Sequence, residues 1–153
     1  IQFILNTIDY SLADSRIVIV GYGRLGKLLA QRLQAFEAEV IACCSDDEEK
    51  KAALQANLHP CFMKEKADYF NADIIVNTVP ARVIIAEELQ SVGKDSLLID
   101  VASVPGGFDP AAAEQNHLNF TILRGIPGKK APKTAGKLIS RLIDTKLKEW
   151  DAE

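Results

Sequence analysis

Arg16-Ile17-Val18-Ile19-Val20 runs straight into Gly21-Tyr22-Gly23-Arg24-Leu25-Gly26, and the reading of this one stretch decides the fold. The first five residues form a β-branched run of strand length that stops at a glycine. Beyond it Leu25, Leu28, Leu29, Leu33 and Phe36 recur at helical spacing. The joint fits G-x-G-x-x-G, a weak pattern alone because glycines are common in turns. Its position between strand and helix makes it specific: Gly21 permits the tight turn, Gly23 lets backbone approach a pyrophosphate, and Gly26 lets helix pack on strand. The helix then offers its free N-terminal N–H groups to phosphate. A ligand-free glycine turn and S-adenosylmethionine or nucleotide-sensor use are the competing readings, and dinucleotide binding fits the placement best.

Working outward, Glu39 to Cys44 reads as a second strand, and Asp46 opens a helix whose first turn holds Asp47, Glu48 and Glu49. A weak strand at 61–63 and a short helix near 66–71 precede the apolar strand 73–77. A helix from about Val83 to Gln90, a buried strand 97–100, a loop at Pro105-Gly106-Gly107, a helix near 109–116 and a strand 120–123 follow. Gly125-Ile126-Pro127-Gly128 reads as a turn. The last helix starts near Pro132 with Leu138, Ile139, Leu142, Ile143, Leu147 and Trp150 on one side. Upstream, Ile1, Ile4, Leu5, Ile8 and Leu12 also keep a helical period. Residues 1–14 are therefore expected to be the tail of an inter-domain helix, and 15–153 a dinucleotide-binding domain. Alternating strands and helices predict an α/β fold: a doubly wound Rossmann-type parallel sheet of about six strands in the order 3-2-1-4-5-6, with helices on both faces.

Composition narrows the function. With 153 residues, 48% hydrophobic and 25% charged, the chain has globular values, and no apolar run approaches the roughly 18 residues of a membrane span. A net charge of -3 leaves no basic surplus for a phosphate backbone, so neither nucleic acid nor membrane is an expected partner. The 3 cysteines cannot all pair and show no metal-ligand spacing, which reads as buried thiols in a reducing cytoplasm with no metal. His59 precedes a proline in a loop and His117 ends a helix, away from strand carboxyl ends, so neither is an expected catalyst. No complete acid, base or nucleophile set is visible, and the catalytic residues stay unassigned.

The choice of dinucleotide turns on the end of the second strand, where a carboxylate would accept from the ribose 2′-hydroxyl of NAD. Cys44 stands there and cannot do so. Ser45 could donate to the 2′-phosphate of NADP, whereas Asp46 or Asp47, turned inward, would bind a 2′-hydroxyl and repel a phosphate. NADP and NAD both remain open on the residues alone. Thr78, Val79 and Pro80, with Asp100, Ala102 and Ser103, fall at the ends of the fourth and fifth strands, where open α/β sheets bind ligands.

Four stretches together, GYGRLG, VNTVP (Val76 to Pro80), IDVASVPGGFD (Ile99 to Asp109) and GIPGKKAPKTAG (Gly125 to Gly136), resemble the dinucleotide-binding subunits of the dipicolinate synthase family. The resemblance runs from about Ile8 to Leu147. It implies an NADP-dependent oxidoreductase that works with a second, flavoprotein-like subunit, forming dipicolinate from a dihydro precursor of the lysine pathway in spore-forming bacteria. It further implies that Gly21, Tyr22, Gly23, Arg24 and Leu25 hold the pyrophosphate and Ser45 the adenosine ribose side; Gly26 and Asp46, from the reading of the residues themselves, complete the expected cofactor-binding set. By the same resemblance, Thr78, Val79 and Pro80 hold the nicotinamide half, while Asp100, Ala102 and Ser103 line the cleft. Gly125, Pro127, Gly128, Pro132 and Thr134 would face a small-molecule substrate, with Lys133 near them. Two departures stand out: Ser45 replaces the family's arginine, and Arg124 replaces a proline. The family carries a further N-terminal domain, so the chain is expected to be part of a longer protein that is the enzyme; by itself the chain is expected to bind cofactor without turnover, and it could form a homo-oligomer. A nucleotide-sensing regulatory domain or a 2-hydroxyacid-type dehydrogenase domain is the alternative.

Overall fold

The computed structural model describes residues 1–150, apart from the side chains of Pro127, Lys146, Lys148 and Glu149. Two compact units divide the chain, the first ending at Ile122 and the second beginning at Leu123. In the first, β1 (Arg16–Val20), β2 (Glu39–Cys44), β3 (His59–Phe62), β4 (Ile74–Asn77), β5 (Leu97–Asp100) and β6 (Asn119–Ile122) form one sheet. The order is β3-β2-β1-β4-β5-β6 and every neighbouring pair is parallel. This is the expected doubly wound arrangement, with the switch point between β1 and β4. Both faces are covered, so Ile17 to Val20, Val40 to Cys44 and all of β4 and β5 are buried. Val18, Val20, Ile41, Ile75 and Leu98 carry the sheet's side of the core, and Phe70 and Phe108 fill it.

The helices are α1 (Gln2–Leu5), α2 (Arg24–Gln34), α3 (Asp47–Gln55) and α4 (Pro110–Gln115). α2 buries only part of the leucine stripe that its spacing suggested: Leu33 is buried and Leu29 half-buried. Leu25, Leu28 and Phe36 are exposed, and the buried side is Gly26, Ala30 and Leu33. The cause is the crossing: a Cβ at Gly26 would lie 2.0 Å from the Gly21 carbonyl oxygen, so small residues must face the strand. Near the N-terminus the helix stops at Leu5. Ser11 then caps a separate 3-10 turn, Leu12–Asp14, its hydroxyl accepting from the Ala13 N–H at 3.2 Å.

The expected helix at 83–90 is largely absent. Ile84 N–H donates to the Gly107 carbonyl at 3.1 Å, and Ile85 N–H to Glu88 Oε2 at 3.1 Å, which draws the backbone out of a helical ladder. Only a 3-10 turn at Glu88–Ser91 remains. A longer 3-10 segment, Met63–Tyr69, replaces the short helix near 66–71, and its buried Lys66 reaches Glu88 Oε1 at 2.7 Å. The second unit contains α5 (Ile126–Lys130) and α6 (Pro132–Trp150), so a helix occupies the stretch read as a turn. Gly125 at φ 65 starts it, and Lys129 N–H returns to the Gly125 carbonyl at 3.1 Å. Among the described residues no helix is long and apolar enough to cross a membrane.

Candidate functional site: a glycine loop at the strand ends

Three glycines of one loop do three different things. Gly21 adopts φ 94, and a Cβ on it would stand 2.5 Å from Val79 Cγ2 and 2.7 Å from Thr78 Oγ1. That position needs both the left-handed conformation and the absence of a side chain. Gly26 is excluded from substitution by the crossing of α2 over the loop. Around Gly23, by contrast, a Cβ would meet nothing within 4 Å. Protein packing does not explain a glycine there. Gly23 is also the N-cap of α2 and no side chain caps it, so the first-turn N–H groups have no intrahelical partner. An open cradle in front of an uncapped, eleven-residue helix fits a phosphate-bearing ligand.

Hydrogen bonds lock this loop to its neighbours. Gly21 N–H donates to the Cys43 carbonyl at 3.1 Å, and Thr78 N–H to the Val20 carbonyl at 2.9 Å. Thr78 Oγ1 lies 3.1 Å from the Val20 oxygen and 3.0 Å from the Gly21 oxygen, placed to donate to either. The ends of β1, β2 and β4 thus converge, bringing Gly21 to Gly26 beside Thr78 and Val79. Pro80 and Ser103 are exposed at the same end of the sheet, and Ala102 is buried.

Asp100 points inward. It is 1% exposed, and its Oδ1 accepts from Ala102 N–H and Asn77 Nδ2, both at 3.0 Å, while Oδ2 accepts from Gly107 N–H at 2.9 Å. Asn77 closes the set: its Nδ2 also donates to the Val79 carbonyl, and its Oδ1 accepts from Val79 N–H at 3.1 Å. A Cβ on Gly107 would press to 2.4 Å from the Asn77 amide carbon. Asp100 and Asn77 therefore pin the loops after β4 and β5 to each other.

At the end of β2, Ser45 is held by a residue that the sequence reading did not single out. Its N–H and its hydroxyl both donate to Glu49 Oε2 at 2.9 Å, and the hydroxyl also lies 3.3 Å from Asp46 Oδ2. Asp46 Oδ1 caps α3 by accepting from Glu49 N–H at 2.8 Å. The signal for Glu49 was present: an Asx residue followed three positions later by Glu at a helix start is a capping-box spacing. Burial raises the Tyr22 phenol above its usual range, with the neighbouring Cys44 and Glu49 adding to it. Burial, then Glu49, pushes the Cys44 thiol up to about 12, so it stays protonated. Cys43 and Cys61 face each other across β2 and β3 with sulfurs 3.2 Å apart, and that hydrogen bond together with burial raises Cys43.

His59 is exposed at the start of β3 and His117 follows α4, both away from the strand carboxyl ends. Gly125, Gly128, Pro132 and Thr134 are exposed residues of the second unit, and the side chain of Pro127 lies outside the described residues. A groove of about 510 Å³ between α2 and α3 is lined by Tyr22 of the glycine loop together with Lys27, Gln31, Gln34 and Ala56 among others.

Residues 5–104, more than half of the chain, match the family model described as the D-isomer specific 2-hydroxyacid dehydrogenase NAD binding domain. The chain belongs to that family. It is therefore an NAD-binding domain of oxidoreductase type. Among its relatives, a dipicolinate synthase subunit of Bacillus subtilis is 30% identical over 146 residues, which cover 95% of this chain and 49% of the relative. The crystal structure of dipicolinate synthase from Bacillus subtilis superposes with a TM-score of 0.93 at 29% identity, covering 99% of this chain and 51% of that one. Its counterpart from Bacillus halodurans gives 0.91 at 27%, covering 96% and 51%. The resemblance read from the four sequence stretches is borne out, and this chain spans about half the length of these relatives. A 2-hydroxyacid dehydrogenase domain is compatible with the family model, but the dipicolinate synthase likeness extends over nearly the whole chain and is the better supported reading.

Proposed function

We propose that this chain is the dinucleotide-binding half of an oxidoreductase that forms dipicolinate from a dihydro precursor of the lysine pathway during sporulation, in the cytoplasm and with a flavoprotein-like partner. The observation that carries the reading is the open space at Gly23 before the uncapped N-terminus of α2. In it, the backbone N–H groups of Arg24, Leu25 and Gly26 hold the pyrophosphate, and Ser45 and Asp46 border the adenosine ribose. Thr78, Val79 and Pro80 border the nicotinamide half, in a loop kept rigid by Asn77 and Asp100. Ala102 and Ser103 flank the same cleft. By the resemblance alone, and in the second unit taken by itself, Gly125, Pro127, Gly128, Pro132 and Thr134 would face substrate. When bound, the dinucleotide supplies the hydride acceptor, and the protein supplies orientation and exclusion of water. By the resemblance alone the dinucleotide would be NADP, whereas the carboxylates around Ser45 favour NAD.

A single domain gives the cleft one wall. Hydride transfer needs reacting atoms held roughly 3 to 3.5 Å apart from both sides, so this chain alone binds cofactor and turns nothing over. The test is dipicolinate formation from a dihydrodipicolinate precursor with NADP or NAD. It is run on the chain alone and on the chain joined to the half of the Bacillus subtilis dipicolinate synthase relative that it does not match. Turnover only in the joined protein supports the proposal; appreciable turnover by the chain alone overturns it.

A further inference from the structure

We infer that Glu49 is the residue that selects the dinucleotide, and that the site takes NAD(H), with its free 2′-hydroxyl, over the 2′-phosphorylated form. The inference rests on the dinucleotide reading above and deepens it. A dinucleotide whose pyrophosphate sits on the glycine loop extends its adenosine ribose to the end of the second strand. In this chain that end is not a free serine. Both donors of Ser45, N–H and hydroxyl, are spent on Glu49 Oε2 at 2.9 Å, so Ser45 has no proton left to offer a phosphate. Among the described residues no hydrogen bond uses Glu49 Oε1, which leaves an acceptor for a ribose hydroxyl.

The surrounding charges point the same way. Asp46 Oδ2 lies 3.3 Å from the Ser45 hydroxyl, so a 2′-phosphate arriving here meets two carboxylates. Lys50, the next residue along α3, is held over the Phe62 ring with its ammonium 4.1 Å from the centroid. The two hydrogen bonds from Ser45 hold the Glu49 carboxylate, in the first turn of α3, against the residue that follows β2. A half-buried carboxylate in that position accepts from a hydroxyl and repels a phosphate dianion, the physical basis of discrimination by an unfavourable contact.

Calorimetric titration of the folded chain with NADH and with NADPH tests this. The wild type is expected to bind NADH at least about tenfold more tightly than NADPH, a difference of about 1.4 kcal/mol. Glu49→Gln keeps an oxygen for the Ser45 donors and removes the charge. It should bring the two affinities to within a few-fold, chiefly through tighter NADPH binding. Ser45→Arg, at an exposed position, should invert the order. NADPH bound as tightly as NADH by the wild type overturns the inference while leaving the dinucleotide reading standing. So does an unchanged ratio in folded Glu49→Gln. Binding of neither dinucleotide overturns both.

Discussion

Gly23 and Gly26 lie three residues apart in one loop, yet the same substitution should act on them in opposite ways. At Gly23 φ is -71 and a Cβ meets nothing within 4 Å, so a side chain enters without strain. Gly23→Ala should leave stability unchanged or raise it by about 0.4 to 1 kcal/mol, through the lower entropy of the unfolded chain. At Gly26 the added Cβ would stand 2.0 Å from the Gly21 oxygen, which is backbone and cannot swing aside. Gly26→Ala must push α2 off β1 and should cost roughly 3 kcal/mol or more, the upper end of overpacking costs. Binding reverses the ranking for the folded variants: Gly23→Val fills the cradle and should weaken NADH by roughly 100-fold, about 2.8 kcal/mol. Thermal unfolding measures the first pair of effects and calorimetric titration the second. The reasoning is refuted by a Gly26→Ala melting temperature equal to wild type, or by a Gly23→Val variant that binds NADH with wild-type affinity.

Other residues give further expectations. Asp100→Ala removes the carboxylate that accepts three hydrogen bonds, from Ala102 N–H, Gly107 N–H and Asn77 Nδ2, and should cost roughly 3 kcal/mol or more by denaturant unfolding; an effect below about 1 kcal/mol would contradict the clamp. Lys66→Ala leaves Glu88 without its partner in a half-enclosed site and should destabilise more than Lys66→Met, which keeps the packed stem; equal unfolding midpoints for the two variants would contradict this. Burial, then Glu49, pushes the Cys44 thiol from its ordinary 9.0 up to about 12 on folding. Its contribution to stability is thus fully present below pH 9 and is lost as pH rises from about 9 to about 12. The melting temperature should fall across that window, less steeply in Cys44→Ala, and equal slopes in the two proteins would contradict the assignment.

The sheet was legible because each strand carries its own apolar run and the parallel arrangement buries both faces, so the run itself reports burial. The glycine loop was legible for the same local reason, as its three glycines have fixed offsets from a strand end. Legibility failed where tertiary contacts decided the outcome. The helical period at 83–90 lost to a hydrogen bond from Ile84 to Gly107, more than twenty residues away in sequence. In α2 the stripe held at Leu33 but not at Leu25 and Leu28, because the close crossing at Gly26, which no count of apolar residues registers, turns the small residues inward. Glu49 was passed over because its first-turn position has a sufficient helical explanation, and only its distance to Ser45 gives it a second role. Asp100 stands at a strand end, where a ligand role and a loop-holding role look identical until its three donors are seen.

The central claim is that the glycine loop, with the ends of β2 and β4, forms one nicotinamide dinucleotide site. The most direct test is amide NMR of the isotope-labelled chain titrated with NADH. Saturable shift changes should concentrate at Gly21 to Gly26, Ser45, Thr78 and Val79, with Gln31, Gln34 and Ala56 of the α2–α3 groove unmoved. Changes confined to the groove, or no saturable change at millimolar NADH, would contradict it.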